Sequence, residues 1–451
     1  MMLWCFFKPH IYIFARFPAT TELTAYSETR MEDLNDLKEP ILFQNVEVFD
    51  VIRFFKGDGP SCQFEAGQQK GGHYFCCLCG IHCSRVNDYA HASYNKILSL
   101  KDRQTKVLQT SGSISRSKRG DIKVYNNLDK DAVAQELHER NVKFLIKNNA
   151  NILRDKLTKE MCGIQRVPSL LFNNPEEDIS ETVLRLYEIL GCEPLHEHSN
   201  QIQNLYSELP HHHEDKATII DFIEGTFNGK DCRRAADYRQ SLIRVYLFLD
   251  HHYPHSPLTN ILFTLCEMQR INYHNEADRT NENILRMYVQ SFLHMILLKE
   301  NIEKKLKCIT QRKLFGKYYH ALITHAPDQL RIIDGRSANT ENEERKFNFL
   351  KVTSLTSSNR HADNIILNAF IRSTAREKLG ATKDFVLKTE ADIAKDYEPI
   401  YLNLENSIVS FDIIEKYPWE YQALLEKIAD FLSFYNDFWK EVDNGVFSLV
   451  M

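Results

Sequence analysis

Two pairs of residues, far apart in the chain, have the side chains and the spacing of metal ligands. Cys76 and Cys79 form a C-x2-C pair, and His320 and His325 form an H-x4-H pair. Two thiolates and two imidazoles are a frequent ligand set for tetrahedral zinc. Because Cys79 and His320 are separated by 241 positions, a zinc ion shared by these four residues would close a very long loop.

The cysteine pair also has a local interpretation. Cys76 and Cys79 could bind zinc together with Cys83 and His91 in the same segment, or could be buried thiols without a metal. Gly80 directly after the second cysteine suits the tight turn that a C-x2-C metal site needs.

The two histidines pose a geometric problem. In a regular α-helix, residues i and i+5 lie about 140° apart around the axis. His320 and His325 therefore share a metal only if the helix loosens between or near them, and otherwise they are two satisfied polar histidines. Pro327 is placed to end the helix soon after the pair.

A cluster of carboxylates follows the histidines at Glu341, Glu343 and Glu344. It is typical of a helix N-terminus, where Asn339 or Thr340 would cap and the carboxylates would favour the positive end of the helix dipole. The alternative is a carboxylate that holds Mg²⁺ or Mn²⁺ for phosphoryl transfer, which needs several converging carboxylates.

Basic residues lie in two places that could contact phosphates. The net charge of −5 excludes a global positive field, so any contact with nucleic acid must use local patches. Equally, these side chains could be solvated surface. The candidates are Arg233, Arg234, Arg239, Arg345, Lys346 and Lys351.

Length and composition indicate two or three globular domains in a reducing compartment. The chain has 451 residues, of which 43% are hydrophobic and 26% charged. Its eleven cysteines are odd in number, and four of them crowd between positions 76 and 83, which favours free thiols and a metal site over disulfides. The apolar stretch 1–17 is too short and interrupted for a membrane span and lacks the features of a secretory signal.

The hydrophobic pattern predicts a mainly α protein with a small β part. Strands are expected within 41–56, followed by a turn at 56–60. A basic linker rich in serine and glycine is expected at 110–120, and a second linker at 376–388. Apolar residues at helical spacing predict helices over 86–109, 131–147, 179–191, 195–207, 234–250 and 283–306, and an aromatic-rich helix at about 424–442.

The order of these motifs resembles the catalytic core of the large recombination-activating protein of V(D)J recombination and its Transib-like transposase relatives. The similarity is colinear over about residues 10–375. Its most specific part is the pairing of Tyr74-Phe75-Cys76-Cys77-Leu78-Cys79 with Tyr319-His320 and His325-Ala326-Pro327. Weaker matches are 55–59, 65–67, Leu195-His196-Glu197, and Phe227-Asn228-Gly229 with the arginines that follow.

The resemblance implies an RNase H-like core whose three acidic residues bind two divalent metals, interrupted by a large helical insertion that carries a structural zinc. It identifies Cys76, Cys79, His320 and His325 as the zinc ligands. It identifies Glu341 as the best match to the catalytic glutamate, and Glu344 as a second glutamate three positions later.

The chain departs from this family where the catalytic aspartates should be. Arg16 stands at the position of the second aspartate, and the first would lie before Met1. A positive charge beside a lone glutamate repels a divalent cation. We therefore expect a catalytically incomplete protein, which would bind Mg²⁺ or Mn²⁺ only if catalytic residues are supplied elsewhere. If it is active, the reaction is that of a DDE-type DNA transposase or recombinase.

The sequence thus predicts a transposase-derived, recombinase-like protein that binds DNA in the nucleus. A zinc-stabilised helical scaffold for protein interactions, without a DNA role, is the alternative. DNA is the expected partner, and no membrane partner is expected. The sequence leaves open whether the chain forms a homodimer. The predicted parts are RNase H-like strands (1–70), the zinc-cysteine segment (71–110), a basic linker (111–125), the helical insertion (126–335), the glutamate helix (336–375) and a helical tail (376–451).

Overall fold

A computed structural model describes a mostly helical chain. The described residues are 41–43, 46–48, 57, 59–110, 112, 128–168, 190–228, 233–273, 281–305, 311–331, 335–341, 352, 368, 371–372, 375 and 411–443. The chain divides into two compact units, one formed by 1–26 and 340–408 and the other by 27–339 and 409–451. The mainly α prediction is confirmed. The predicted RNase H-like core stays a prediction, as do the domain boundaries.

The larger unit contains one small hairpin and many helices. Strands β1 (Ile41–Phe43) and β2 (Val46–Val48) pair antiparallel, with Ile41 opposite Val48. The shorter helices are α1 (Gly59–Glu65), α2 (Tyr89–Tyr94), α3 (Leu100–Leu108), α4 (Lys130–Glu139) and α5 (Ala150–Glu160). The longer ones are α6 (Pro194–Glu208), α7 (Lys216–Thr226), α8 (Ala235–His252), α9 (Pro257–Tyr273) and α10 (Asn281–Lys305).

Short helices and a long C-terminal helix complete the larger unit. They are α11 (Gln311–Leu314), α12 (Lys317–His320), a π-helical segment (Ala321–His325), α13 (Ala326–Leu330), α14 (Gly335–Ala338), α15 (Phe411–Lys416) and α16 (Pro418–Asp443). The predictions for 195–207, 234–250, 283–306 and the aromatic C-terminal helix are confirmed. The helix predicted over 179–191 lies almost wholly outside the described residues, as does the linker at 376–388.

Two predicted helices are shorter than expected because polar residues cap the chain inside them. The stretch 86–109 is two helices, since α2 ends before Asn95 and Ser99 starts α3 with a capping box to Asp102. The helix predicted over 131–147 ends at Glu139, and Asn141 follows with a positive φ of 58°. A left-handed residue cannot continue an α-helix.

The predicted turn at 56–60 is partly wrong, because α1 already begins at Gly59. A Cβ at Gly59 would meet the end of the Lys317 side chain, which can move aside, so this position marks a close approach of α1 to Lys317 rather than a requirement for glycine.

The core is built by long helices packed in series. Helix α8 packs against α6, α7 and α9, and α9 packs against α10. Helix α16 covers α10 and α2, and buries Ala423, Leu424 and Phe431. This packing surrounds the segment 317–330, which carries both predicted histidine ligands, with α2, α6 and α10.

The smaller unit is described at only a few residues, among them Thr340, which is buried, and Glu341, which is helical. Glu344, Arg345, Lys346 and Lys351 lie outside the described residues. Within the described part of the chain, no helix has the length and apolar character needed to cross a membrane.

Candidate metal centre

Four side chains from two distant segments converge at one buried point. Cys76 Sγ lies 3.3 Å from His325 Nε2, and Cys79 Sγ lies 3.3 Å from His320 Nε2. The two Nε2 atoms are 3.1 Å apart, and all four ligand atoms lie within 4.8 Å of one another. None of the four residues is more than 4% exposed. The structure thus brings together the predicted ligands in a cluster that can hold a metal ion.

The cysteine loop is a tight turn held by its own backbone. The amide of Gly80 donates to the carbonyl of Cys76 at 3.1 Å, and the amide of Cys79 donates to Cys76 Sγ at 3.5 Å. Gly80 has a φ of 60°, the left-handed conformation that glycine adopts without strain. An amide aimed at a sulfur stabilises the thiolate form that binds metals.

A fully buried arginine fixes this loop from behind. The Arg103 guanidinium donates to the carbonyl oxygens of Ala66 (3.2 Å) and Leu78 (3.1 Å) and to Gln68 Oε1 (2.8 Å). Its Nε donates to the carbonyl of Leu98 at 3.2 Å. Arg103 therefore ties the cysteine loop to α3 and to the segment before the loop, and places a positive charge near the thiols.

The histidines meet because the helix between them is a π-helix. Over Ala321–His325 the backbone turn widens, and the amide of Ala326 donates to the carbonyl of Ala321, five residues earlier. The i→i+5 geometry carries His325 around to the side of the helix that His320 occupies. The condition set by the sequence, that the helix must loosen between the two histidines, is met.

Pro327 does not end the helix, which corrects the sequence prediction. It lies in the first turn of α13 directly after the π-helical segment. Proline lacks the amide that an α-helical interior requires, and the first turn of a helix is where that amide is not needed. The widened turn therefore lets a proline follow the metal ligands while the chain stays helical to Leu330.

Two neighbouring elements lock the histidine segment in place. Gln329 and Cys192 exchange two hydrogen bonds, from the Cys192 amide to Gln329 Oε1 (2.5 Å) and from Gln329 Nε2 to the Cys192 carbonyl (3.1 Å). Asp328 accepts from the Tyr288 hydroxyl at 2.7 Å and from Lys427 Nζ at 3.0 Å. The ligand helix is thus tied to the start of α6, to α10 and to the C-terminal helix.

Burial and hydrogen bonding set the protonation of the ligands. Burial raises the pKa of the Cys79 thiol, but hydrogen bonds from Cys76, Asn95 and the backbone outweigh it, so the net shift is downward. Burial lowers the pKa of His320. A thiol that ionises readily and an imidazole that stays neutral are the forms in which these residues bind metal.

The outward nitrogens of the two histidines differ. His320 Nδ1 lies 3.3 Å from Thr324 Oγ1, so an N–H there can donate to the hydroxyl and leave Nε2 free for a metal. His325 Nδ1 is buried and has no hydrogen-bond partner among the described residues.

The other candidate residues are placed as follows. The local alternative with Cys83 and His91 is not formed, since Cys83 Sγ contacts His73 Nδ1 (3.2 Å) and His91 Nε2 contacts the Arg85 guanidinium (2.5 Å). Glu341 belongs to the smaller unit and is described by itself, so its assignment as a catalytic residue stays a prediction.

The three described arginines of the predicted DNA patch already have partners. Arg233 pairs with Glu224, Arg234 Nε lies 3.5 Å from Asp237, and the Arg239 guanidinium stacks 4.6 Å above the Tyr273 ring. Only Arg234 has a mostly exposed side chain among these arginines, at 74%.

Sequence reasoning missed a small, mostly apolar cavity beside Cys76. It leaves about 20 Å³ for the centres of water molecules, enough for one or two, and is lined in part by Glu197, Lys317 and Cys192. Glu197 Oε2 and Lys317 Nζ are buried without a hydrogen-bond partner among the described residues. Burial, reinforced by Glu193, raises the pKa of Glu197 well above its usual value. The Leu195-His196-Glu197 motif was the available signal.

The comparisons with known proteins add no relative to this picture: no family model, no curated protein and no solved structure matches the chain.

Proposed function

We propose that this chain is a transposase-derived, nuclear DNA-binding protein, related to V(D)J-type recombinases, in which a zinc ion staples a helical domain and the catalytic triad is incomplete. The observation that carries the proposal is the convergence of Cys76, Cys79, His320 and His325. Their order and flanking residues are the specific part of the resemblance. The resemblance implies a metal site closed over such a long stretch of chain, so this convergence supports the proposal.

The donor set and its spacing favour zinc. Zinc bonds of about 2.0 Å to nitrogen and about 2.3 Å to sulfur give tetrahedral edges of about 3.3 Å between two nitrogens and about 3.5 Å between nitrogen and sulfur. The corresponding distances here are 3.1 Å and 3.3 Å. Two thiolates and two neutral imidazoles neutralise the ion, and four protein ligands leave no open position, as in structural sites.

The metal would crosslink the cysteine loop to the helix that carries the two histidines. The cysteines lie on a loop next to α1 and α3, whereas the histidines lie on a helix packed against α6 and α10. Because metal binding to a site that exists only in the folded state adds directly to folding free energy, zinc would stabilise the whole insertion. The insertion would then present its arginines on a rigid support.

The DNA role is supported by Arg234 at the start of α8. Its side chain is 74% exposed, and its Nε lies 3.5 Å from the carboxylate of Asp237, whose side chain is buried. Because this contact uses Nε, the terminal nitrogens of the guanidinium can donate to a phosphate while the carboxylate stays in place.

The alternative function is a zinc-stabilised interaction scaffold without a DNA role. It is favoured by the acidic partner of Arg233, by the stacking of Arg239 on Tyr273 and by the net charge of −5. Both functions use the same metal centre. They differ in whether the protein binds a polyanion.

The salt dependence of DNA binding separates the two functions. For duplex DNA, log K falls against log salt with a slope of about −0.9 for each phosphate that the protein neutralises. Our proposal expects saturable binding of a random duplex at low salt with a slope of about −2 to −4. Zinc-loaded, folded protein that shows no binding at about 50 mM salt would favour the scaffold.

Catalytic incompleteness has a separate test. Supercoiled plasmid incubated with the zinc-loaded chain and Mn²⁺ is expected to stay uncut. Nicking by the wild type that disappears in Glu341→Gln would contradict the proposed loss of activity and identify Glu341 as a metal-binding carboxylate. Nicking that persists in the variant would indicate a contaminating nuclease, which an unrelated protein purified in the same way controls for.

A further inference from the structure

A second group of metal-binding side chains lies next to the buried centre. His73, His82 and Cys83 each offer a ligand atom, and these atoms lie within 4.8 Å of one another. His73 Nδ1 is 3.2 Å from Cys83 Sγ, and the rings of His73 and His82 stack with centroids 5.4 Å apart. This cluster shares no residue with the site formed by Cys76, Cys79 and the two distant histidines.

The backbone holds the three residues together without a metal. The amide of Cys83 donates to the carbonyl of His73 at 2.7 Å, which joins the two ends of the segment that contains the buried cysteines. A 3₁₀ turn over Cys83–Arg85 follows, and His82 caps it through the Ser84 amide. Two of the three ligands are therefore adjacent in sequence and the third is fixed across from them.

The side chains have the chemistry that metal binding requires. His82 Nδ1 lies 3.2 Å from the Ser84 amide and 2.8 Å from Ser84 Oγ. In the tautomer that binds a metal through Nε2, Nδ1 carries the proton and donates to the hydroxyl in place of accepting from the amide. Tyr74 contacts the His82 ring edge-on, with centroids 5.0 Å apart, and restrains its orientation. A thiolate with two imidazoles is a ligand set for borderline divalent ions such as zinc.

We propose that His73, His82 and Cys83 form a second metal site that binds Zn²⁺ or a similar borderline ion through three protein ligands. His73 is exposed and the other two are partly exposed, so the fourth position is open to water or to a solute ligand. A three-ligand, solvent-facing site binds and releases its ion more readily than the closed site beside it.

The two sites are coupled through the chain between them. The buried cysteines lie inside the loop that the Cys83–His73 hydrogen bond closes. A metal on Cys76 and Cys79 would restrain this loop further. The buried site has four protein ligands and the exposed site has three, so the buried site is expected to fill first.

Titration of the full-length chain with Zn²⁺, and in parallel with Co²⁺, tests the proposal. After removal of loosely bound metal, the wild type is expected to take up one further equivalent, and with Co²⁺ this equivalent adds a thiolate-to-metal charge-transfer band. Cys83→Ser and His73→Ala are expected to lose this equivalent while they keep the tightly bound one, which also reports that they are folded.

His91→Ala is the matched control, because His91 lies in the same segment but contacts Arg85 rather than the cluster. It is expected to bind the second equivalent as the wild type does. The proposal is overturned if the wild type binds only one equivalent, or if the second equivalent persists in both ligand variants. Neither result bears on the proposed role of the buried zinc, which the retained equivalent measures separately.

Discussion

His320 and His325 lie five residues apart, yet their Nε2 atoms approach to 3.1 Å because the helix between them is a π-helix. In a regular α-helix this spacing would direct the two side chains to different faces. The wide turn is thus the structural element that converts two buried histidines into half of a metal site. Its hydrogen bonding gives the first prediction.

Replacing Thr324 by valine should weaken zinc binding about tenfold. The Thr324 hydroxyl lies 3.3 Å from His320 Nδ1 and is the hydrogen-bond partner of that nitrogen among the described residues. Loss of an outer hydrogen bond to a ligating histidine typically lowers metal affinity by about 10- to 100-fold. Competition with a zinc chelator measures the change.

Thr264→Val is the control for this substitution. Thr264 Oγ1 lies 3.1 Å from His294 Nδ1, in an equally buried histidine pair outside the metal centre. The control should lose a similar amount of stability with unchanged zinc affinity. Equal affinities for both variants and the wild type would rule out the orienting role of Thr324.

Arg103→Met should lower the free energy of unfolding by about 3 kcal/mol or more. The substitution removes a donor from three carbonyl oxygens and from Gln68 Oε1, of which the Leu78 carbonyl keeps the Leu98 amide, and each buried group left unsatisfied costs about 1–3 kcal/mol. Arg103→Lys should recover only part of this loss, because an ammonium cannot reproduce the planar fork.

Chemical denaturation in the presence of zinc measures this effect. Arg154→Met serves as the comparison, since Arg154 donates to the Leu128 carbonyl and to Asn151 near the surface. We expect a loss of about 1 kcal/mol there. A similar loss for both arginines would show that Arg103 does not organise the cysteine loop.

The metal ligands could be predicted from sequence, but their support could not. The four ligands are recognisable by residue type and spacing. By contrast, nothing in the residues 321–325 indicates a π-helix, which depends on packing against α6 and α10 and on the ligands themselves. The role of Arg103 could not be predicted either, because only the tertiary fold brings the carbonyls of Ala66 and Leu78 to its guanidinium.

Acidification should destabilise the protein partly through His294. Burial lowers the pKa of His294 to about 4, whereas in the unfolded chain it is near 6.5. Below pH 6.5 the unfolded state therefore binds a proton that the folded state refuses. Stability is lost as pH falls from 6.5 towards 4 and is constant with respect to this group above that window.

The comparison of wild type with His294→Gln isolates this contribution. Between pH 6 and pH 5 the wild type should lose about 1 kcal/mol more unfolding free energy than the variant. The zinc ligands titrate in both proteins and cancel in the difference. Parallel pH profiles would show that His294 is not held neutral in the fold.

Arg234→Gln should reduce the salt slope of DNA binding by about 1, if its exposed guanidinium contacts one phosphate. Lys96→Gln is the control, because it removes the same charge from a side chain that is 80% exposed and lies far along the chain from α8. Equal slopes for the two variants would show that Arg234 contributes only its positive charge and makes no specific phosphate contact.

Helix lengths could be predicted where apolar periodicity runs uninterrupted, as in α6, α8 and α10. They could not be predicted where a helix-capping motif interrupts a stretch with helical apolar spacing. The Ser99–Asp102 capping box splits the stretch 86–109, although its apolar spacing favours one continuous helix. The long-range placement of α16 on α10 and α2 likewise depends on contacts that no local pattern encodes.

The most direct test of the central claim is the zinc retained by the purified chain after dialysis against a weak chelator in reducing buffer. We predict about one zinc for each wild-type chain, nearly none for Cys79→Ser, and about one for Cys77→Ser, whose buried thiol is outside the cluster. A wild type without zinc, or equal zinc in both variants, would contradict the account.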